Sequence, residues 1–209
     1  RPRHLLHACR APDCDCCSCH RSTLRRCAPS DACRLRAPSV TISLDAIDAL
    51  DRDAEALLRA LSGPHGIHAS QASTANYRAV FARDAVMAGV AGLLLGDAVV
   101  TGGLVRTLEQ LRALQGAEGQ VASNFEMHDD AAPPSVSFGT LAPRIDAATW
   151  YLVGVGLAAR AGAIDASAYR DSVRAVVRLL DALEYNGRHL VYIPTGGNWA
   201  DEYIYDGYI

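Results

Sequence analysis

The chain of 209 residues has the length of one good-sized domain or two small ones, and half of its residues are hydrophobic, so a sizeable core can form without metal or disulfide crosslinks. Disorder throughout the chain is therefore excluded, and the longest apolar run, 85–95, is far shorter than the roughly 20 residues that a membrane span needs. The formal net charge of −3 gives no overall attraction to nucleic acid, so we expect neither a nucleic-acid partner nor a membrane partner.

The first 39 residues differ in composition from the rest of the chain. They carry a net charge of +5, against −8 for the remainder, and they contain all seven cysteines. No apolar period runs through them, so they cannot bury a face and we expect them to be disordered. No signal peptide or zinc site is predicted, because Leu5-Leu6 is the only apolar pair there and the adjacent Cys16 and Cys17 cannot readily face one ion. Because the chain has twenty arginines and no lysine, we hypothesise that this segment is non-native sequence translated from GC-rich DNA.

Five helices are predicted after this segment, and they alternate in character. Apolar residues recur at helical spacing over Asp45–Leu61, 104–114 and Ala166–Tyr185, with polar residues on the opposite face, which predicts three amphipathic helices. The two helices that begin near Asp84 and Asp146 are apolar nearly all round and should be buried between other elements. A further helix start is predicted at Trp199. Glycines follow the five helices and predict their ends: Gly63, Gly96, Gly116, Gly162 and Gly187.

The acidic residues that open the apolar helices recur at a nearly constant interval. Asp84, Asp146 and Asp201 are separated by 62 and 55 residues, a length that fits one helical hairpin with its loops. Alternating buried and half-buried helices close naturally into an inner ring and an outer ring. Six such hairpins need on the order of 350 residues, whereas residues 40–209 supply about three. We therefore predict an all-α fold, an incomplete (α/α)6 toroid that forms the N-terminal part of a larger domain.

The segments that lead into the apolar helices carry side chains suited to binding sugars. Parallel inner helices bring their N-terminal ends to one mouth, where aromatic rings can stack on sugar faces and carboxylates and amides can bond hydroxyl groups. The alternative reading is that these aspartates only cap helices and that the aromatic rings are core residues. Recurrence at one period favours a shared site, with these candidate residues: Tyr77, Arg83, Asp84, Asn124, Phe125, Arg144, Asp146, Trp150, Asn198, Trp199, Asp201 and Glu202.

Several segments resemble those of one superfamily, the six-hairpin glycosidases. Residues 77–94, which contain Arg83-Asp84, resemble the loop and inner helix of neutral/alkaline invertases and of the amylo-α-1,6-glucosidase domain of glycogen debranching enzymes. Residues 107–125 resemble their following helix and substrate loop. The segment 142–151, Ala-Pro-Arg-Ile-Asp-Ala-Ala-Thr-Trp-Tyr, is similar to the one that holds their general acid. The segment Gly197–Glu202 is more similar to the debranching group than to the invertases.

The resemblance implies inverting hydrolysis of an α-glucosidic or sucrose-type linkage. Two carboxyl groups about 6.5–9.5 Å apart would act, one by protonating the leaving oxygen and the other by activating water. Asp146 would be the acid, with a pKa raised by packing under Trp150 and Phe125. The resemblance gives the remaining residues supporting roles: Arg83, Asp84 and Arg144 hold sugar hydroxyls or orient Asp146, and Trp199, Asp201 and Glu202 line the subsite.

The general base of the superfamily lies in a late hairpin, so we expect it beyond Ile209 and expect the chain alone to be inactive. Asp201 or Glu202 is the alternative base. The resemblance implies an oligosaccharide or disaccharide substrate and a cytoplasmic enzyme, and no cofactor or metal is predicted. A non-catalytic carbohydrate-binding or scaffold protein is the main alternative. A toroid acting on prenyl or lanthionine substrates is disfavoured, because the main body has no aspartate-rich diphosphate motif and no cysteine.

Overall fold

The computed structural model describes residues 43–71, 78–128, 132–140, 142–184, 187–193, 197 and 207–208. Most of these residues are helical, which confirms the predominance of helix: α1 (Leu44–Leu61), α2 (Ala82–Leu95), α3 (Ala98–Ala113), α4 (Ile145–Arg160), a 3-10 helix (Ala166–Tyr169) and α5 (Arg170–Leu183). Within these ranges, no helix combines the length and the apolarity needed to cross a membrane. The disorder expected for residues 1–39 and the helix start expected at Trp199 lie outside the described residues.

Short antiparallel strands accompany the helices, so the described part of the chain is not purely all-α as predicted. β1 (Ser62–Gly63) pairs with β2 (Gly66–Ile67), and β6 (Tyr192–Ile193) pairs with β7 (Gly207–Tyr208). A third sheet has the order β3 (Val80–Phe81), β4 (Asn124–Glu126) and β5 (Ser135–Ser137). Strands of two or three residues are too short to show the alternation of apolar and polar residues by which a strand is recognised in sequence.

Helix α1 has the predicted amphipathic pattern, but its apolar face is covered only at its C-terminal end, where Leu58 and Leu61 pack against the core. Ser43 caps the helix by accepting a hydrogen bond from the amide of Ala46 at 3.2 Å. None of its residues is buried, and Leu50 is 66% exposed. An ion pair between Arg59 and the N-cap residue of α3, Asp97, ties the end of α1 to the next hairpin. The amphipathic helix predicted over Asp45–Leu61 is therefore present, with most of its apolar face exposed.

Helices α2 and α3 form a tight antiparallel hairpin that depends on glycine. A Cβ atom added at Gly89 would lie 2.5 Å from the Cβ of Leu104, and one at Gly92 would lie 2.7 Å from the Cβ of Val100. Gly96 reverses the chain between the helices with a φ of 69°, a conformation that costs glycine little. The small residues of α2 thus set how closely the two helices approach.

This close approach predicts opposite effects for two helical glycine substitutions. Gly89→Ala is expected to lower the free energy of unfolding by about 1–3 kcal/mol, because the added methyl group forces α2 and α3 apart. Gly156→Ala in α4, where an added Cβ meets no atom within 4 Å, is the matched control and should raise it by about 0.5–1 kcal/mol. Urea denaturation measures both values. Equal effects at the two positions would contradict the packing of this hairpin.

Helix α4 packs across the α2–α3 hairpin. A Cβ at Gly154 would lie 3.0 Å from Leu108 of α3 and 3.1 Å from Val86 of α2, so α4 fits between them. The prediction that the apolar helices are wholly buried holds for only one side of each in the described residues, because Met87 of α2 is 51% exposed and Val153 of α4 is 42% exposed. These helices are therefore half-buried.

A buried polar contact joins α4 to α5. The hydroxyl groups of Tyr151 and Ser172 lie 2.8 Å apart and share a hydrogen bond. Burial raises the pKa of Tyr151, against the opposing influence of this hydrogen bond. Because Tyr151 is fully buried, the bond satisfies a hydroxyl group that has no access to water. It fixes how α5 is placed along α4.

Candidate functional site

The N-terminal ends of α2 and α4 lie side by side. Arg83 in the first turn of α2 donates from Nη1 to Oδ2 of Asp146 in the first turn of α4, at 3.1 Å. The Nε of the same arginine lies 3.3 Å from Oδ1 of Asp84. One guanidinium group therefore connects two of the three acidic helix starts. The third, at Asp201, lies outside the described residues.

Backbone hydrogen bonds to two other parts of the chain hold the start of α4. The amide of Arg144 donates to the carbonyl oxygen of Phe138 at 2.8 Å, and the amide of Ile145 donates to that of Gly197 at 2.9 Å. Helix starts leave such amides without partners inside the helix, so these contacts stabilise the end that carries Asp146. Neither contact can be predicted from a local sequence pattern.

A glycine allows the turn that leads from β5 into α4. Gly139 has a φ of 141°, and a Cβ at this position would lie 2.1 Å from the carbonyl oxygen of Ala142. Only glycine accepts this backbone without strain. The glycine at this position, shortly before an X-Pro-Arg-Ile-Asp run, is the sequence signal that could have indicated a tight loop delivering Arg144 and Asp146.

Asp146 is the most perturbed carboxyl group of the site. Its side chain is 19% exposed, and burial raises its pKa above the ordinary value. The guanidinium of Arg83, the amide of Ala147 and then Arg144 oppose this shift without cancelling it. The Oδ1 atom is buried and has no hydrogen-bond partner among the described residues. A carboxyl group in such surroundings retains a proton at higher pH than an exposed aspartate does.

The raised pKa predicts how stability depends on pH. An unfolded aspartate titrates near pH ~3.9, so above that value the folded chain binds the proton of Asp146 more tightly than the unfolded chain does. The free energy of unfolding should therefore fall as pH rises through the raised pKa. Asp146→Asn removes this decline, so its advantage over the wild type should grow from pH 4 to pH 7 in urea denaturation.

The control for this experiment is Asp84→Asn, at a 48% exposed carboxyl group that contacts the same arginine. It should follow the pH dependence of the wild type. If Asp146→Asn is instead less stable than the wild type at pH 7, the attraction of Arg83 outweighs the desolvation of Asp146.

The other described candidates differ in their access to a ligand. Phe125 is fully buried at the centre of the three-stranded sheet, opposite Val80, so the prediction that its ring lines a sugar site is corrected: it is a core side chain. Asn124 is half-buried and pairs in register with Phe81, directly before α2. Trp150 is partly buried and packs against the core. Asn124 and Trp150 therefore keep some exposed surface near the helix starts.

Five predicted residues lie outside the part of the chain that the structure describes: Tyr77, Asn198, Trp199, Asp201 and Glu202. Gly197, directly before four of them, contacts the amide of Ile145, so the chain comes to the start of α4 at that point. Among the described residues, histidine, cysteine and acidic side chains form no group of three that could hold a metal ion.

Comparison with known proteins returned no similar family. No family model matches the chain, and no curated protein matches it. The functional argument therefore depends on the residues and geometry of the site.

Proposed function

We propose that this chain is the N-terminal part of a toroidal, cytoplasmic glycoside hydrolase that cleaves an α-glucosidic or sucrose-type linkage with inversion. Asp146 is the general acid. The observation that carries the proposal is the half-buried carboxyl group of Asp146, with its raised pKa, at the point where two helix starts meet. General acids of glycosidases are carboxyl groups whose surroundings keep them protonated near the working pH.

The contact with Arg83 divides the roles of the two oxygens of Asp146. Oδ2 accepts the hydrogen bond from Arg83 at 3.1 Å, which favours the unprotonated form of that oxygen. The proton of the acid therefore resides on Oδ1, which has no partner among the described residues. Because Oδ1 is buried, donation of this proton to a glycosidic oxygen requires that sugar binding displace the groups that cover the atom.

Arg83 is a positioning residue in this mechanism. It contacts both Asp84 and Asp146, so it holds the acid in one orientation and offsets the repulsion between two neighbouring carboxylates. Asp84 is more exposed than Asp146, and in our proposal its second oxygen accepts hydrogen bonds from sugar hydroxyl groups. Asn124 and Trp150, at the edges of the same region, add an amide and an aromatic face for the sugar.

Inversion also requires a second carboxyl group, about 6.5–9.5 Å from the acid, that activates a water molecule. We place this base in a later hairpin, with Asp201 or Glu202 as the alternative. The hydrogen bond from the amide of Ile145 to the carbonyl oxygen of Gly197 supports Asp201 or Glu202 as the base. It brings Gly197, which comes shortly before both residues in the chain, to the start of α4.

The experiment measures the anomer that is released first. The chain and its extension through the open reading frame are incubated with isomaltose, a limit dextrin and sucrose, and the products are followed by proton NMR. We expect the extended polypeptide to release glucose in the β configuration from isomaltose. Release of the α anomer would exclude the inverting mechanism. Sugar binding without turnover in the extended polypeptide would favour the carbohydrate-binding alternative.

A further inference from the structure

An apolar groove lies between α4 and the segment that begins α5. It has a volume of about 360 Å³ and is lined chiefly by apolar and small side chains, including Val155, Ala159 and Val173. At Gly156 an added Cβ would meet no atom within 4 Å, so the floor of the groove is open. Arg170 and Arg174 also line the groove. The groove therefore has the shape and the polarity to receive an apolar ridge with acidic flanks.

Helix α1 presents such a ridge. Ile47, Leu50 and Leu57, together with Ala54, lie along one side of the helix and are exposed, and we call these four residues the α1 stripe. An exposed run of large apolar side chains on one helix face is typical of an interaction surface. Within its own chain, α1 packs chiefly against α3 and β1, and this packing leaves the stripe uncovered.

The charges beside the α1 stripe and beside the groove are complementary. At helical spacing, Asp51 and Asp53 flank the stripe on its two sides, whereas Arg52 and Arg59 project from the opposite face. Arg170, Arg174 and Arg178 follow one another at intervals of four residues along α5 and form a basic row. Two acids adjoin this row: Asp171, 3.9 Å from Arg174 and almost fully exposed, and Asp165, which interacts with Arg170. Both are exposed, so they offset the row only weakly.

We propose that the α1 stripe of one copy of this chain docks in the α4–α5 groove of a second copy, with one acidic flank of the stripe, at Asp51 or Asp53, beside the basic row of α5. The stripe of each copy contacts the groove of the other, so two copies related by a two-fold axis satisfy both surfaces of each copy. Charge complementarity favours this occupant over a stripe-to-stripe contact, which would bring the aspartates of two copies together.

The test is sedimentation equilibrium of the full 209-residue chain over a range of concentrations. We expect the wild type to form a reversible dimer. Leu50→Glu in the α1 stripe should raise the dissociation constant of this dimer by about tenfold or more. Leu94→Glu is the matched control: Leu94 is 84% exposed at the end of α2, and its replacement should leave the dissociation constant unchanged. Circular dichroism verifies that each variant is folded.

Charge reversal supplies a test that does not depend on apolar loss. Each of two double variants should have a dissociation constant about tenfold higher than the wild type or more: Asp51→Arg/Asp53→Arg and Arg170→Glu/Arg174→Glu. An equimolar mixture of the two variants should restore the wild-type affinity. In the mixed pair every contact again joins opposite charges. A wild type that is monomeric at all concentrations, a dimer insensitive to Leu50→Glu, or a mixture with no restored affinity would overturn the proposal.

Discussion

Asp146→Asn is expected to lower kcat for glycoside hydrolysis by about 10²–10⁴-fold in the polypeptide extended through its open reading frame. The amide has nearly the volume of the acid but has no proton to give to the leaving oxygen. Sugar affinity, measured by calorimetry, should change little, because Asp84 and Asn124 still face the ligand in our proposal. For the wild type, kcat should fall as pH rises through the raised pKa of Asp146.

A substrate with an activated leaving group separates acid catalysis from a loss of structure. Fluoride leaves without protonation, so the variant should hydrolyse α-glucosyl fluoride at close to the wild-type rate. The loss of rate at high pH should disappear for this substrate as well. A variant that loses activity equally on fluoride and on isomaltose would contradict the assignment of Asp146 as the acid.

Phe125→Ala should lower the free energy of unfolding by about 3–5 kcal/mol. Phe125 is fully buried in β4, between Val80 of β3 and Val136 of β5, so its truncation leaves a cavity in the core. Domains are stable by only about 5–15 kcal/mol in total, so the variant is expected to be near the limit of folding. Urea denaturation measures the change.

The neighbouring Val136→Ala is the control, because Val136 faces Phe125 in register but is 37% exposed. Its effect should stay within about 0.5 kcal/mol. The alternative role of Phe125, as a wall of the sugar site, predicts a different result: lost sugar binding in a variant of nearly wild-type stability. Such a result would show that the ring is accessible to ligands.

The helices were predictable because their signals are local. Apolar residues at intervals of three and four, followed by glycine, place α2 and α4 within about two residues of their observed limits, Ala82–Leu95 and Ile145–Arg160. The proximity of Arg83 and Asp146 could be expected only from the assumption that the apolar helices are parallel. These residues are 63 positions apart, and no local pattern reports a contact over such a distance.

The roles of individual side chains were less predictable. An aromatic residue such as Phe125 suits a sugar site and a hydrophobic core equally well, and burial alone separates the two. The stripe on α1 shows a similar ambiguity, because periodicity indicates an apolar face but not what covers it. The short strands have no pattern of their own, since tertiary hydrogen bonds define them.

The opening turn of α4 is already occupied by groups from its own polypeptide. The carbonyl oxygen of Gly197 accepts a hydrogen bond from the amide of Ile145, and the amide of Ala147 interacts with the carboxyl group of Asp146. Free amides at a helix start can bind phosphate. Here a phosphate group would have to displace the carbonyl oxygen of Gly197 and approach the carboxyl group of Asp146. The start of this helix thus disfavours phosphate groups, a form of ligand selection that the backbone accomplishes without a dedicated side chain.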